Sequence, residues 1–92
     1  MTYELNWGES SAEAMNWYDA KKWCEAQGGR LPTLGELLIA YEDKTDGFES
    51  SRYWSATEYN APFAWSVNFS TGVPNNDLKS SAYAVRCVKQ TK

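Results

Sequence analysis

From Arg52 to Lys89 the chain alternates between blocks with a fixed character and gaps with a soft one. The blocks RYWSATEY, AWSVNFSTG and YAVRCVK are aromatic, β-branched or charged, and the gaps NAPF, VPNNDL and KSSA are small, polar or turn-forming. Around the middle block, Phe63, Trp65, Val67 and Phe69 alternate with Ala64, Ser66, Asn68 and Ser70. A period of two marks a half-buried strand, because successive side chains of an extended chain point to opposite sides. Short strands separated by soft gaps describe a sheet that holds out loops for contact.

The remaining elements follow from local signals. Tyr3, Leu5 and Trp7 alternate with polar residues and predict a short first strand, broken by Gly8 and Glu9. Ser10 and Glu13 form a Ser-x-x-Glu capping box that would open a helix over about 11–27. Trp17, Ala20 and Cys24 share one side of that helix, and Gly28-Gly29 supplies its stop. Thr33 and Glu36 form a second capping box, for a helix from Leu34 to Glu42 with Leu34, Leu37, Leu38 and Tyr41 as its apolar stripe. The charged stretch 43–51 reads as a surface loop. Arg52 to Ala56 predicts a short strand, Gly72 to Leu78 a turn or loop rich in Gly, Pro and Asn, and Tyr83 to Lys89 a last strand. On that last strand Val85 and Cys87 share one side and Arg86 takes the other. Helices grouped before strands predict an α+β domain with an antiparallel sheet, spanning 1–92 as one unit.

Composition excludes several functions. The 92 residues carry a net charge of -3, with Lys and Arg scattered, which argues against nucleic acid as a partner. No apolar stretch approaches the ~18–20 residues of a membrane span, so the domain is not expected to be membrane-inserted. The N-terminal run MTYELNWGES has neither a basic start nor an apolar core and does not read as a signal peptide; export would need a signal on a longer parent chain or a route without one. Five Trp, six Tyr and three Phe let a small core be built from few side chains, since each buried aromatic removes ~150–250 Å² from water. There is no His, and Cys24 and Cys87 stand far apart, so the common Cys/His metal sites and a CxxC motif are excluded. Two buried thiols, one reactive thiol or one disulfide remain open; a bridge across so long a loop would stabilise by roughly 4 kcal/mol.

Trp17, Asp19-Ala20, Cys24, Gly29-Arg30-Leu31-Pro32-Thr33, Glu36-Leu37, Tyr53-Trp54-Ser55, Ala64-Trp65, Phe69, Gly72 and Val85-Arg86-Cys87-Val88 together resemble the domain named after the C-terminal part of the Legionella collagen-like adhesin. That family is related to the formylglycine-generating-enzyme branch of the C-type lectin-like fold. The resemblance implies two helices packed on a twisted antiparallel sheet and termini that lie close together. It also implies a helix-to-last-strand bridge, which Cys24 and Cys87 fit. A narrower resemblance is to the variable proteins of diversity-generating retroelements, in which adenine mutagenesis randomises chosen codons on a fixed scaffold. The gaps Asn60-Ala61-Pro62-Phe63, Pro74-Asn75-Asn76-Asp77-Leu78 and Ser80-Ser81-Ala82-Tyr83 hold only residues reachable from Asn codons in that way. Trp54, Glu58, Trp65, Lys79 and Arg86 between them are not reachable. Ordinary turn chemistry would give the same Asn, Ser, Pro and Asp.

Each conspicuous residue has a plain structural use as well as a functional one. Trp17, Trp54 and Trp65 fall on the periodic sides and are expected in the core rather than on a sugar-binding surface, with Trp23 better placed for exposure. Arg30 and Arg86 are expected to pair with a carboxylate such as Asp19, Glu36 or Glu58 rather than with an anionic ligand. Asn75, Asn76 and Asp77 suit a turn better than a calcium site, which needs about six to eight oxygens, so no metal and no cofactor are expected. Formylglycine-generating enzymes use paired cysteines near their C-terminal end and bind copper; here Cys87 alone stands near that region, and the domain reads as non-catalytic.

The expectation is therefore a recognition module for a protein or glycan ligand on a cell surface, in an extracellular, cell-surface or virion setting such as a phage tail fibre. Its contacts would be Tyr59, Asn60, Phe63, Ser66, Asn68, Asn75, Asn76, Asp77, Ser81 and Tyr83, a mixture of rigid aromatic area and adaptable hydrogen bonding of the kind antibody paratopes use. The alternative is a non-catalytic structural domain related to the formylglycine-generating enzymes, which would carry no exposed aromatic patch on its loop side.

Overall fold

One disulfide, Cys24 to Cys87, joins the first helix to the last strand, with Cα atoms 5.5 Å apart. The structure, a computed structural model, describes residues 6–11 and 13–89. Within them the order is β1 (Trp7–Ser10), α1 (Trp17–Ala26), β2 (Gly29–Arg30), α2 (Leu34–Glu42), β3 (Arg52–Asn60), β4 (Phe63–Asn68), β5 (Val73–Leu78) and β6 (Arg86–Lys89). The strands form two antiparallel three-stranded sheets, ordered β1-β6-β2 and β3-β4-β5. A short parallel bridge links them: Trp54 N–H donates to Ala84 O at 3.1 Å and Ala84 N–H to Arg52 O at 2.9 Å. The last strand is thus central to its sheet and pairs with the first, which brings the two ends of the domain together.

Three local expectations need correction. The first helix starts at Trp17, capped by Asn16, whose Oδ1 accepts from Asp19 N–H at 2.8 Å. Ser10, expected to cap that helix, lies in β1 opposite Arg86, and Gly8 and Glu9 lie within the strand they were expected to break. Pairing with β6 takes up the backbone groups of this segment before a helix can use them. Tyr3 and Leu5 of the expected first strand lie outside the described residues. The second correction is β5, a paired strand where composition predicts a loop; only its entry is a turn, in which Gly72 has φ 76° and lies against the Tyr41 ring. The third concerns Trp65 and is taken up below.

The second helix follows its expected bounds. Thr33 Oγ1 accepts from Glu36 N–H at 3.1 Å and Glu36 Oε1 accepts from Thr33 N–H at 2.8 Å, which satisfies two of the donors a helix start leaves open. Arg30 grips the same carboxylate with both guanidinium nitrogens, at 2.8 and 2.9 Å, so its role here is structural.

Tyr53 and Trp54 are neighbours on β3 and point to opposite sides, and each anchors a core. Trp54 packs with Trp17, Ala20, Cys24, Leu31, Ala64, Val85 and Cys87 under α1. Tyr53 packs with Leu37 and Val67 under α2, extended by Phe48 and Phe69, whose rings stack at 4.2 Å. Trp23 is half-buried against the first core rather than free in solvent. Length now decides what stays bare. Both α2 and β3 have nine residues, but a helix of that length spans about 14 Å and a strand about 30 Å. The hairpin end of β3–β4 therefore projects beyond the helix that covers its base.

Candidate ligand-binding surface

Strand register sorts the side chains of the β3–β4–β5 sheet. Residues directly opposite on antiparallel strands share a side. Asn60, Phe63 and Leu78 lie in one row and Trp65 and Asn76 in the next, on the side that α2 covers further down at Val67 and Pro74. We call this the outer side. Ala64 with Asp77 and Ser66 with Asn75 make the rows of the inner side, which faces α1.

The outer side ends in exposed aromatic chemistry. Tyr59 is 56% exposed and Leu78 48%. The Tyr59 ring stands edge-on to Phe63 at 6.5 Å and to Trp65 at 5.8 Å. Phe63 and Trp65 are half-buried and belong to neither core cluster. Trp65 was expected in the core because its strand alternates. The period is right and the assigned side is wrong: the small residues Ala64 and Ser66 are buried, and the large ones look outward.

The inner side is closed and polar. Ser66, with no exposed surface, donates from Oγ to Asp77 Oδ2 at 2.6 Å. Arg52 pairs with Asp77 at 3.3 Å and lies 5.3 Å over the Tyr83 ring, which meets Trp54 edge-on at 5.0 Å. Lys79 is only 5% exposed; its Nζ sits 2.6 Å from Glu58 Oε1 and 4.5 Å over the Trp17 ring. The hydrogen bond from Lys79, and then its charge, hold the Glu58 carboxyl below the ordinary 4.5. Trp17 Nε1–H donates to Ser55 O at 2.8 Å.

The expected contact residues thus divide. Tyr59, Asn60, Phe63 and Asn76 gather on the outer side. Ser66, Asn75 and Asp77 sit on the inner side, Asn75 and Asp77 half-buried. Asn68 closes β4, its Oδ1 accepting from Ser70 N–H at 2.8 Å. Ser81 lies in the turn after β5, bonded through its N–H to Leu78 O at 2.9 Å, and Tyr83 is pinned by backbone bonds to Met15. Trp65 and Leu78 complete the outer patch. Leu78 was missing from the expected contacts because its side is set by pairing with β4, which its own segment, reading as a loop, does not announce.

Other features have structural uses. Among the described residues Arg86 meets no carboxylate; its Nε donates to Gly8 O at 2.8 Å and Nη1 to Asp46 O at 2.7 Å, with Phe48 4.7 Å beneath. Burial pulls its pKa below the ordinary guanidinium value. A cleft of about 510 Å³ lies between the end of β1 and Tyr83, lined by Ser10, Glu13, Glu49, Arg52 and neighbours. Among the described residues no group of three or more His, Cys, Asp or Glu side chains is placed to hold a metal ion, and no helix is long and apolar enough to cross a membrane.

The family model of the Lcl C-terminal domain matches residues 2–89. The chain belongs to the Lcl C-terminal domain family. This Lcl C-terminal domain is also similar to a solved C-type lectin from the tunicate Polyandrocarpa misakiensis, with a TM-score of 0.63 and 17% identity over 99% of this chain and 100% of that one. An identity so low speaks for the fold alone, and the fold is α+β and C-type lectin-like. No curated protein matches the sequence.

Proposed function

We propose that this Lcl C-terminal domain is a non-catalytic recognition module that meets its ligand with the hairpin end of β3–β4–β5. One observation carries the reading. Tyr59, Phe63, Trp65 and Leu78 gather on an uncovered sheet surface and join neither core. Contiguous exposed apolar surface on a small domain is unfavourable unless something covers it, and such patches mark binding sites. A purely structural spacer has no use for it. Tyr59, Asn60, Phe63, Trp65, Asn76 and Leu78 are the proposed direct contacts; Asn75, Asp77 and Tyr83 lie on the inner side, and with Ser66, Asn68 and Ser81 they hold the strands and turns in place. The disulfide and the lectin-like fold support an extracellular setting.

Diversification by a retroelement is part of the proposal. Of the residues adenine mutagenesis cannot generate, Trp54 is buried, Lys79 and Glu58 are paired, and Arg86 is tied to Gly8 and Asp46, which suits a scaffold under variable positions. Trp65 departs from that pattern, since it stands on the outer patch beside Tyr59 as a fixed contact. Sibling sequences from one locus test this point, with change confined to the three gaps as the expected outcome and change scattered over the whole chain as the refutation.

The recognition reading is tested with the labelled domain on arrays of immobilised cell-surface proteins and glycans. The combined variant Tyr59→Ala, Asn60→Ala, Phe63→Ala, Asn76→Ala should lose the array signal and keep its melting temperature within a few degrees. Collapse of the fold would make these residues scaffold and end the idea.

A further inference from the structure

We propose that the open edge of β5 pairs with β5 of a second copy of this chain, antiparallel about a two-fold axis at Asn76, and joins the two β3–β4–β5 sheets into one. The reason lies in how the fold treats its edges. An unpaired strand edge is a row of bare N–H and C=O groups and a template for another strand. The edge of β3 away from β4 is closed by its neighbours: Trp54 and Arg52 bond Ala84, and Ala56 N–H donates to Pro32 O at 2.7 Å. In the other sheet the edge strands are short, two residues in β2 and four in β1. β5 has six, and among the described residues no strand pairs with its far edge. Its one charged side chain, Asp77, which could repel a second strand, is engaged by Ser66 and Arg52.

Register decides which groups that edge offers. Lys79 N–H donates to Pro62 O at 2.9 Å, in the row next to Phe63 and Leu78. Bonded and unbonded rows alternate along an antiparallel ladder. The rows Ala64–Asp77, Ser66–Asn75 and Asn68–Val73 are therefore the bonded ones, and the backbone groups of Pro74, Asn76 and Leu78 face away from β4. Among the described residues this leaves Asn76 with an open N–H and C=O, Leu78 with an open N–H and Pro74 with an open C=O. Two groups are missing from the row. Proline has no N–H, and Leu78 O already accepts from Ser81 N–H at 2.9 Å.

These two gaps select the occupant. In an antiparallel pair centred on Asn76, the Asn76 residues of the two copies exchange both their bonds, and Pro74 of each copy faces Leu78 of the other. Leu78 N–H donates to Pro74 O, and the missing proline donor falls opposite the carbonyl that is already satisfied. The edge is complementary to itself, which is what a two-fold interface requires. A foreign peptide of ordinary residues would bring Pro74 a C=O that finds no donor, and Leu78 an N–H whose acceptor is taken. Residues directly opposite share a side. Leu78 of each copy thus lies beside Pro74 of the other on the outer side, and Asp77 beside Asn75 on the inner side, so no like charges stand opposite each other. The outer patches of the two copies then share one continuous sheet surface.

The pairing stands apart from the recognition reading and is tested without a ligand. Sedimentation of the domain from about 1 µM to about 1 mM covers the weak association expected of so short an interface. The expected result is a mass that rises with concentration from the 10.4 kDa of one chain towards twice that value. Asn76→Pro removes a donor that faces away from β4, a place where an edge strand tolerates proline. It should weaken association at least tenfold while circular dichroism still shows the fold. A second arm reads the register. Asn76→Cys sets two thiols opposite each other across the axis and should cross-link into a dimer under mild oxidation. Val73→Cys, also exposed on the same strand but facing Lys79 of the other copy, should cross-link far more slowly. If Asn76→Pro unfolds, this arm decides alone. A monomer at every concentration overturns the proposal. So does a dimer that keeps its strength in Asn76→Pro, or one that cross-links as readily through Val73→Cys. The combined variant used on the arrays keeps every backbone group of β5 and should dimerise as wild type does even where it loses its array signal, so the two ideas fail separately.

Discussion

The two sides of the β3–β4–β5 sheet are built from opposite chemistry, and the opposition runs against the usual partition. Towards α1 the sheet buries Ser66 and Lys79 and half-buries Asp77, each with a partner at hydrogen-bond distance. Towards solvent it turns Tyr59, Phe63, Trp65 and Leu78. Polar groups inside are tolerated because they are satisfied; apolar groups outside gain nothing from the fold itself. The inner side is therefore where stability resides, and the outer side is free to serve a ligand.

The sharpest way to break that contrast uses one residue type on both sides. Trp54 and Trp65 lie on adjacent strands of the same sheet. Trp54→Ala removes a fully buried ring and the bond from its Nε1–H to Met15 O at 2.9 Å, and should cost about 3–5 kcal/mol. Trp65→Ala should cost under about 1 kcal/mol, because its ring belongs to neither core. Urea or thermal unfolding of the two variants measures the difference. Equal losses would mean that the outer rings are core after all.

Removing the disulfide with Cys24→Ser and Cys87→Ser comes next. The bridge closes a sequence separation of 63 and should contribute about 4 kcal/mol, a shift of roughly 15–30 °C in a domain of this size. Ligand binding well below the lowered melting temperature should persist, because the staple lies under α1 and not under the outer patch. A binding loss at temperatures where circular dichroism still shows the fold would show the two sides to be coupled.

Much of this was open to sequence reasoning, and the failures share a cause. The α2 capping box, the Trp17–Ala20–Cys24 side of α1 and the alternation of β4 are local signals, and the fold keeps all three. Ser10 and Glu13 carry the same capping pattern as Thr33 and Glu36, yet β6 claims Ser10 for a strand. Four of the six residues of VPNNDL, Pro74 to Asp77, are poor strand formers, and β4 pairs with the segment regardless; Pro74 is tolerated because β5 is an edge. Missing β5 then hid the row that places Asn76 beside Trp65. Trp65 itself was assigned by hydrophobicity, which cannot tell a core strand side from a binding one. The surface depends on which helix covers which length of strand, and that is a tertiary fact.

Ser66→Ala probes the inner network at smaller scale. It strips a buried donor from Asp77 and should cost about 1–2 kcal/mol by denaturant titration. Asn76→Ala, one strand away on the outer side, should change stability by no more than about 0.5 kcal/mol. A stability loss at Asn76 matching that at Ser66 would assign this amide to the scaffold.

The smallest effect is set by pH and separates the sides without a mutation. Lys79, and more weakly Lys21, holds the folded Glu58 carboxyl below its ordinary 4.5. A carboxyl whose folded pKa is depressed stabilises the fold fully above the unfolded value and loses that contribution as pH falls through the folded one. The Glu58–Lys79 contribution should thus be constant at neutral pH and disappear below about pH 4.5. Glu58 is exposed, so water and salt weaken the pair, and a modest change in melting temperature is expected. Comparing wild type with Glu58→Gln from pH 7 to pH 3 isolates it: the two melting curves should differ at neutral pH and converge as the acid protonates Glu58. The outer patch holds no carboxyl or imidazole group that could titrate in this window. Ligand affinity should therefore stay flat over the range in which the inner pair is lost, as long as the domain remains folded. An affinity that falls in step with the Glu58 titration would place the ligand on the inner side, against Lys79 and Trp17, and reverse the assignment of the two surfaces.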